Sequence, residues 1–199
     1  MSFDDFRIEG LVAAAFTAFR NDGSLDLAPI GAHSAMLARN GVRGVFVCGS
    51  TGEGDAHPDV LRTQITDENL MEFARCVEFD GGQYNLLWGR DEILLAGLTA
   101  GAQGAIGSTY NYTAPVCNRV IDAFGRGDMS AAMREMSRAR ESVQVLIDFG
   151  GLPAGKAMLR LCGIDCGPVR LPLRTLPAER VADMVSALSR INWDEIRCR

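Results

Sequence analysis

Short apolar runs alternate along the chain with longer amphipathic stretches. Residues 10–19 (GLVAAAFTAF) are apolar throughout and run into Arg20-Asn-Asp-Gly23, which predicts a buried strand followed by a turn. Residues 26–39 carry apolar side chains at 27, 30, 35, 36 and 37, a helical spacing that Asn40-Gly41 ends. Residues 42–48 (VRGVFVC) are β-branched and aromatic, as in a strand. The same alternation returns with a helix over 67–79, a strand over 84–88 (YNLLW), a helix over 91–100 and a short strand over 104–107 (GAIG). After Pro115 the pattern is helical to the end, over 116–125, 129–149, 154–161 and 177–190. Residues 55–65 show no period, contain Pro58 and are too short for another strand–helix unit. Repeated β-α units predict an α/β fold with a parallel sheet.

Composition narrows the function classes. Of 199 residues, 47% are hydrophobic and 23% charged, an ordinary globular balance that excludes a disordered, collagenous or coiled-coil chain. The net charge of −5 disfavours nucleic acid as a partner. The apolar run 11–19 is too short to span a bilayer, so no membrane partner is expected. The N-terminal Met-Ser-Phe-Asp-Asp-Phe is acidic where a signal peptide is basic, and the six cysteines then read as reduced thiols of a cytoplasmic protein. Of the 20 basic residues only Lys156 is a lysine, so amine chemistry must use Lys156 or another chain.

Three strand-to-helix junctions carry candidate chemistry. In Gly49-Ser-Thr-Gly-Glu-Gly54, backbone N–H groups and the hydroxyls of Ser50 and Thr51 suit a carboxylate or phosphate; a capping box of Ser50 with Glu53 is the structural alternative. In Gly89-Arg-Asp-Glu92, Asp91 reads first as a helix cap and Glu92 as a first-turn acid, with polyol hydroxyls as the functional alternative. Ser108-Thr-Tyr-Asn111 is either a third ligand loop or a turn with Tyr110 packed inside. All three follow strands, on the edge where parallel α/β sheets bind ligands. Gly150-Gly-Leu-Pro-Ala-Gly-Lys156 fits part of a phosphate loop, but Ala157 stands where the magnesium hydroxyl belongs, and Lys156 reads as a surface residue. Cys162 and Cys166 lack a partnering pair, and His33 and His57 lie far from them, so no metal is expected.

Five strings in order, GSTGEG, LLWGRDE, GAIGSTYN, GLPAGKAM and DCGPVRLPL, resemble the N-acetylneuraminate lyase branch of the dihydrodipicolinate synthase family over residues 9–54 and 66–190. The resemblance implies a (β/α)₈ (TIM) barrel with added C-terminal helices. It also implies a pyruvate-dependent class I aldolase that cleaves N-acetylneuraminate through a lysine Schiff base, with no further cofactor. By position, Ser50 and Thr51 match the pair that holds the pyruvate carboxylate. Gly89, Asp91, Glu92 and Ser108 match contacts to the sugar-acid chain, and Thr66 matches a threonine two residues after the Schiff-base lysine. That lysine position holds Gln64, and Phe46 replaces a tyrosine that commonly precedes the G-S-T motif.

A full barrel needs about 250 residues, and the shortage here falls between Gly54 and Thr66, where the family has helix 2 through strand 6. The expectation is therefore a partial barrel of about four parallel strands in the order 7-8-1-2. It forms a single domain, with residues 1–127 as the partial barrel and 128–199 as C-terminal helices. The missing opposite wall is expected to expose Val12, Ala14, Phe46 and Leu87 and to favour a homo-oligomer. With Gln64 unable to form an imine and the tyrosine-bearing strand missing, the chain is expected to be a catalytically impaired lyase-like protein. The alternative is a non-catalytic module that binds a 2-keto acid or sugar acid or serves interaction, or a degenerate fragment.

Overall fold

The computed structural model describes residues 7–47, 49–53, 64–65, 69–82 and 84–199. The sheet contains β1 (Gly10–Ala14), β2 (Gly44–Phe46), β3 (Gln64–Ile65), β4 (Leu87–Trp88) and β5 (Gly104–Gly107). All ladders are parallel, in the order β2-β1-β5-β4-β3. The expected run 7-8-1-2 is present as β4-β5-β1-β2. One expectation is corrected: the strand reserved for the Schiff-base position is not missing. Gln64 and Ile65 pair with Leu87 and Trp88 as a two-residue edge strand. Its sequence surroundings have no apolar period, because its pairing is set by β4 and not by a local pattern.

Helices α1 (Ile30–Arg39), α2 (Leu70–Glu78) and α3 (Leu94–Thr99) follow strands. They are succeeded by α4 (Tyr110–Gly125), α5 (Met129–Asp148), α6 (Leu152–Leu161), α7 (Ala178–Arg190) and α8 (Trp193–Ile196). Strand side chains alternate between two faces. Leu11, Ala13, Trp88 and Ala105 point outward into the main core with the helices. Trp88 meets Phe73 of α2 edge-on at 4.9 Å. Gly97 brings α3 so close that a Cβ there would lie 2.3 Å from the Trp88 ring. Val12, Leu87 and Ile106 point to the other face and form a small separate cluster with Ile8, Ala14 and Phe46 against it. The expected exposure of this inner face is thus corrected. Val12 and Leu87 are buried, and Ala14 and Phe46 are half-buried, because the inward side chains of neighbouring strands close over one another.

Helix α4 is the hub between the sheet and the C-terminal helices, packing on β1, β5, α3, α5, α6 and α8. It begins at Tyr110, before Pro115, and not after it as the sequence pattern predicts. Proline lies in the sixth position, where it withholds only one N–H from the ladder. The start is fixed from outside the helix. Asp91 Oδ2 accepts hydrogen bonds from the Thr109 backbone N–H at 2.8 Å and from Thr109 Oγ1 at 2.7 Å. Asp91 therefore caps a helix that starts 18 residues later in sequence, and not the 3-10 turn (Asp91–Ile93) that it opens. Asn111 Nδ2 adds a tie to the Ala14 carbonyl at the end of β1, at 2.6 Å.

Burial pushes the Asp91 carboxyl up from 3.8 to about 6, against the lowering effect of the Thr109 bonds. A raised acid pKa means that the folded state holds the proton more tightly than the unfolded chain. The stability contribution therefore falls as pH rises from about 4 to about 6 and is constant above that. The full difference is about 3 kcal/mol. Asp91→Asn keeps a carbonyl acceptor for Thr109 and should remove this fall. Urea melts of both proteins from pH 4 to 7 should converge at the acidic end and separate, in favour of Asn, toward neutral pH. A Cβ at Gly107 would stand 1.8 Å from Asp91 Oδ1. Gly107→Ala should cost about 2–4 kcal/mol in the same melts, through overpacking and loss of the cap.

Candidate functional site

The ligand edge lies past the C-terminal ends of β2 and β5. A cavity of about 240 Å³ opens there, lined by Ser50, Thr51, Ser108, Tyr112 and Phe16 on the sheet side. Leu146, Gly151, Leu152 and Gly155, at the end of α5 and the start of α6, form the opposite wall. Three of the sequence-predicted residues, Ser50, Thr51 and Ser108, are therefore brought together. Their hydroxyls suit the oxygens of a carboxylate or a carbohydrate. Gly155 permits the close wall: a Cβ there would lie 2.8 Å from the Phe16 ring.

Tyr112, which the sequence did not single out, is wholly buried at this cavity, and its hydroxyl has no hydrogen-bond partner. Its ring stacks on Phe16 at 6.4 Å. Burial, reinforced by the Asp91 charge, drives its phenol well above the ordinary value of 10, so it acts as a neutral donor or acceptor. Tyr110 is also wholly buried, as the packed-turn alternative requires.

The remaining predicted residues stand apart from the cavity lining. Asp91 is turned to Thr109, beside Ser108, where it serves as the cap of α4. Glu92 pairs with Arg90 at 3.3 Å on the half-exposed side of the 3-10 turn. Gly89 links β4 to that turn. Thr66, with Cys48 and His57, lies outside the described residues, and of Gln64 only the backbone pairing on β3 is described. No cluster of three or more His, Cys, Asp or Glu that suits a metal ion occurs among the described residues.

The largest departure from the sequence reading is Lys156. It is 3% exposed and not a surface residue. Its Nζ lies 2.8 Å from Glu53 Oε1 and donates to the carbonyls of Pro168 at 2.8 Å and Cys166 at 3.5 Å. It also sits 5.0 Å above the Phe19 ring, which carries the Arg170 guanidinium at 4.6 Å. The second carboxylate oxygen of Glu53 accepts from the Arg170 backbone N–H at 2.8 Å, and the Arg170 side chain donates to the Glu53 carbonyl. Glu53 thus closes the G-S-T-G-E loop onto α6 and segment 166–170, and no capping box with Ser50 forms. Its φ of 58° is unusual for a non-glycine residue and costs of order 1 kcal/mol, tolerated because three partners hold it. The one sequence signal of this cluster was the solitary lysine among arginines.

The profile of the Dihydrodipicolinate synthetase family matches residues 56–191. N-acetylneuraminate lyase from Rattus norvegicus is 35% identical over 145 residues, which is 71% of this chain and 45% of the rat protein. The lyase of Rhizobium meliloti (strain 1021) is 33% identical over 147 residues, 72% of this chain and 48% of that protein. The chain thus matches about half the length of these curated relatives. Among solved structures, N-acetylneuraminate lyase from Proteus mirabilis superposes with a TM-score of 0.86 at 24% identity, covering 94% of this chain and 100% of the other. The Aliivibrio salmonicida lyase gives 0.87 at 24% identity, covering 94% and 98%. These likenesses establish the fold as a partial TIM barrel, and the profile and sequence matches place the chain in a family: it belongs to the dihydrodipicolinate synthetase family.

Proposed function

We propose that this chain is an N-acetylneuraminate lyase-like protein that binds a 2-keto acid or sugar acid without cleaving it. One observation carries the reading. The cavity is lined by the hydroxyl residues Ser50, Thr51 and Ser108, while the only amine side chain of the sequence is engaged by Glu53, Pro168 and Cys166. A Schiff-base aldolase needs a free amine in its cavity and a group to move protons. Gln64 stands where the family lysine is expected, and an amide does not form an imine. The pyruvate carboxylate fits Ser50 and Thr51, as it does by resemblance, and a relative of the same fold, YagE from E. coli K12, has been solved in complex with pyruvate. Asp91 and Glu92 are proposed as sugar-chain contacts on family position, although Asp91 here also caps α4.

A cytoplasmic homo-oligomer is part of the same reading. The described cysteines are all free thiols, and among the described residues no helix is long and apolar enough to cross a membrane. Exposed apolar side chains gather toward both ends of the sheet, with Leu27, Ile30, Val45 and Val47 toward β2 and Met71, Phe79 and Tyr84 toward β4 and β3. Such patches are suited to burial between subunits.

Calorimetry with pyruvate should show binding in the millimolar range, as expected for a small anion on neutral donors. Thr51→Val and Ser50→Ala should each weaken it by about tenfold, or about 1.4 kcal/mol. Borohydride added with pyruvate should leave the protein mass unchanged, and N-acetylneuraminate should not be cleaved. Gln64→Lys alone should not restore cleavage, because the relay tyrosine is still lacking. A borohydride-trapped adduct on Lys156 would overturn the non-catalytic reading.

A further inference from the structure

We infer that Lys156, Glu53 and Arg170 form a clamp that sets the separation of the two cavity walls, so that Lys156 and Glu53 are positioning residues for whatever acid the cavity holds. The inference deepens the binding reading above and rests on it for the identity of the ligand alone. Ser50 and Thr51 lie three and two residues before Glu53, on one wall. Gly151, Leu152 and Gly155, on the other wall, immediately precede Lys156. The 2.8 Å contact between Lys156 Nζ and Glu53 Oε1 is thus a strut joining the wall that carries the hydroxyls to the wall that closes over them. Segment 166–170 braces the strut from behind, through the Pro168 carbonyl on Lys156 and the Arg170 backbone N–H on Glu53. Phe19 fills the space beneath both cations.

The chemistry of the strut specifies lysine. A buried ammonium has three protons; here it donates to two backbone carbonyls of one segment and stands 2.8 Å from a carboxylate oxygen of another as an ion pair. A guanidinium is planar and presents its donors as a fork, which does not match acceptors arranged around a point. Nineteen of the twenty basic residues of this chain are arginines, and the one lysine stands at this buried strut. Neither Lys156 nor Glu53 lines the cavity, so neither is expected to touch the ligand. Their effect on binding passes through the hydroxyl-bearing loop.

The test compares wild-type protein with Glu53→Gln/Lys156→Met, in which both charges leave together so that no unpaired ion stays buried, and with Lys156→Arg. Amide hydrogen exchange is read at residues 50–53 and 152–156, with β1 and β5 amides as the internal standard. Pyruvate affinity is measured by calorimetry. In the double variant, exchange at both walls should rise about tenfold while the β1 and β5 amides stay within about twofold, and pyruvate affinity should fall about tenfold. Lys156→Arg should keep the fold and the net charge and still raise wall exchange. Wall exchange within twofold of wild type in either folded variant overturns the clamp, and should the double variant not fold, Lys156→Arg decides alone. No heat from wild type with pyruvate sinks the binding reading, while the exchange arm still decides the clamp.

Discussion

A single ammonium group ties together three parts of this molecule that are far apart in sequence. Lys156 projects from α6, its carboxylate partner lies on the loop after β2, and its carbonyl partners belong to the segment after α6. Taking two charges out of water is costly, and an ion pair offsets that cost only when the remaining protons and lone pairs are satisfied. Here two backbone carbonyls take protons of the ammonium and a backbone N–H donates to Glu53 Oε2, while Glu53 Oε1 is held by the ion pair alone. The price of such a contact is intolerance: the sequence holds no second lysine, and Arg170, the other cation on Glu53, meets its second carboxylate oxygen and its carbonyl. The G-S-T loop, the start of α6 and the approach of segment 166–170 to Phe19 all take their positions from it. That last approach is so close that a Cβ at Gly167 would lie 2.0 Å from the Phe19 carbonyl oxygen.

The sheet meets a second constraint: among the described residues it runs as five strands that do not close into a barrel. A parallel sheet buries both faces when helices and an opposing wall cover it. In this chain the outer face is covered in the usual way by helices, with Trp88 and Leu11 in the main core. The inner face is served by its own side chains, with Val12, Leu87 and Ile106 drawn together in one small cluster. The C-terminal helices belong to the main core. They pack on α4, which is anchored at its start by Asp91 and Asn111. The sheet-to-helix junction after β5 therefore carries both the architecture and part of the candidate site, since Ser108 lines the cavity and Thr109 receives the cap.

The strands and the helices after them were legible because the relevant signals are local, apolar runs of the right length punctuated by Asn40-Gly41, Gly101 and Arg20-Asn-Asp-Gly23, whereas the strand order came from the family resemblance to a closed barrel. Strand ends were less legible. Residues 15–19 are as apolar as β1, yet the ladder stops at Ala14. The apolar character beyond it serves packing against α6 and segment 166–170, and not strand pairing. The pair Gln64–Ile65 was invisible because a two-residue strand has no periodicity to read. Within the site, hydroxyl residues at strand ends announced Ser50, Thr51 and Ser108. The roles of Asp91 and Lys156 were hidden for one reason: each acts on a partner remote in sequence, Thr109 and Glu53, and spacing along the chain carries no trace of such a bond. Tyr112 was missed because an aromatic residue on a helix reads as core, which it is, apart from its unpartnered hydroxyl.

The central place of β1 has a consequence for how the protein comes into being. Its outer neighbour β2 follows within a few dozen residues, but its other neighbour is β5, with Gly10 registered against Gly104. On a ribosome adding about 5–20 residues per second, Leu11, Val12 and Ala13 wait about 5–20 s before residues 104–107 emerge to pair with them. During that interval an apolar, β-prone segment has only one of its two ladders, the condition in which nascent chains are captured by chaperones or by one another. An early truncation that ends before Gly104 should therefore leave β1 with one open edge, a condition that the finished fold never shows.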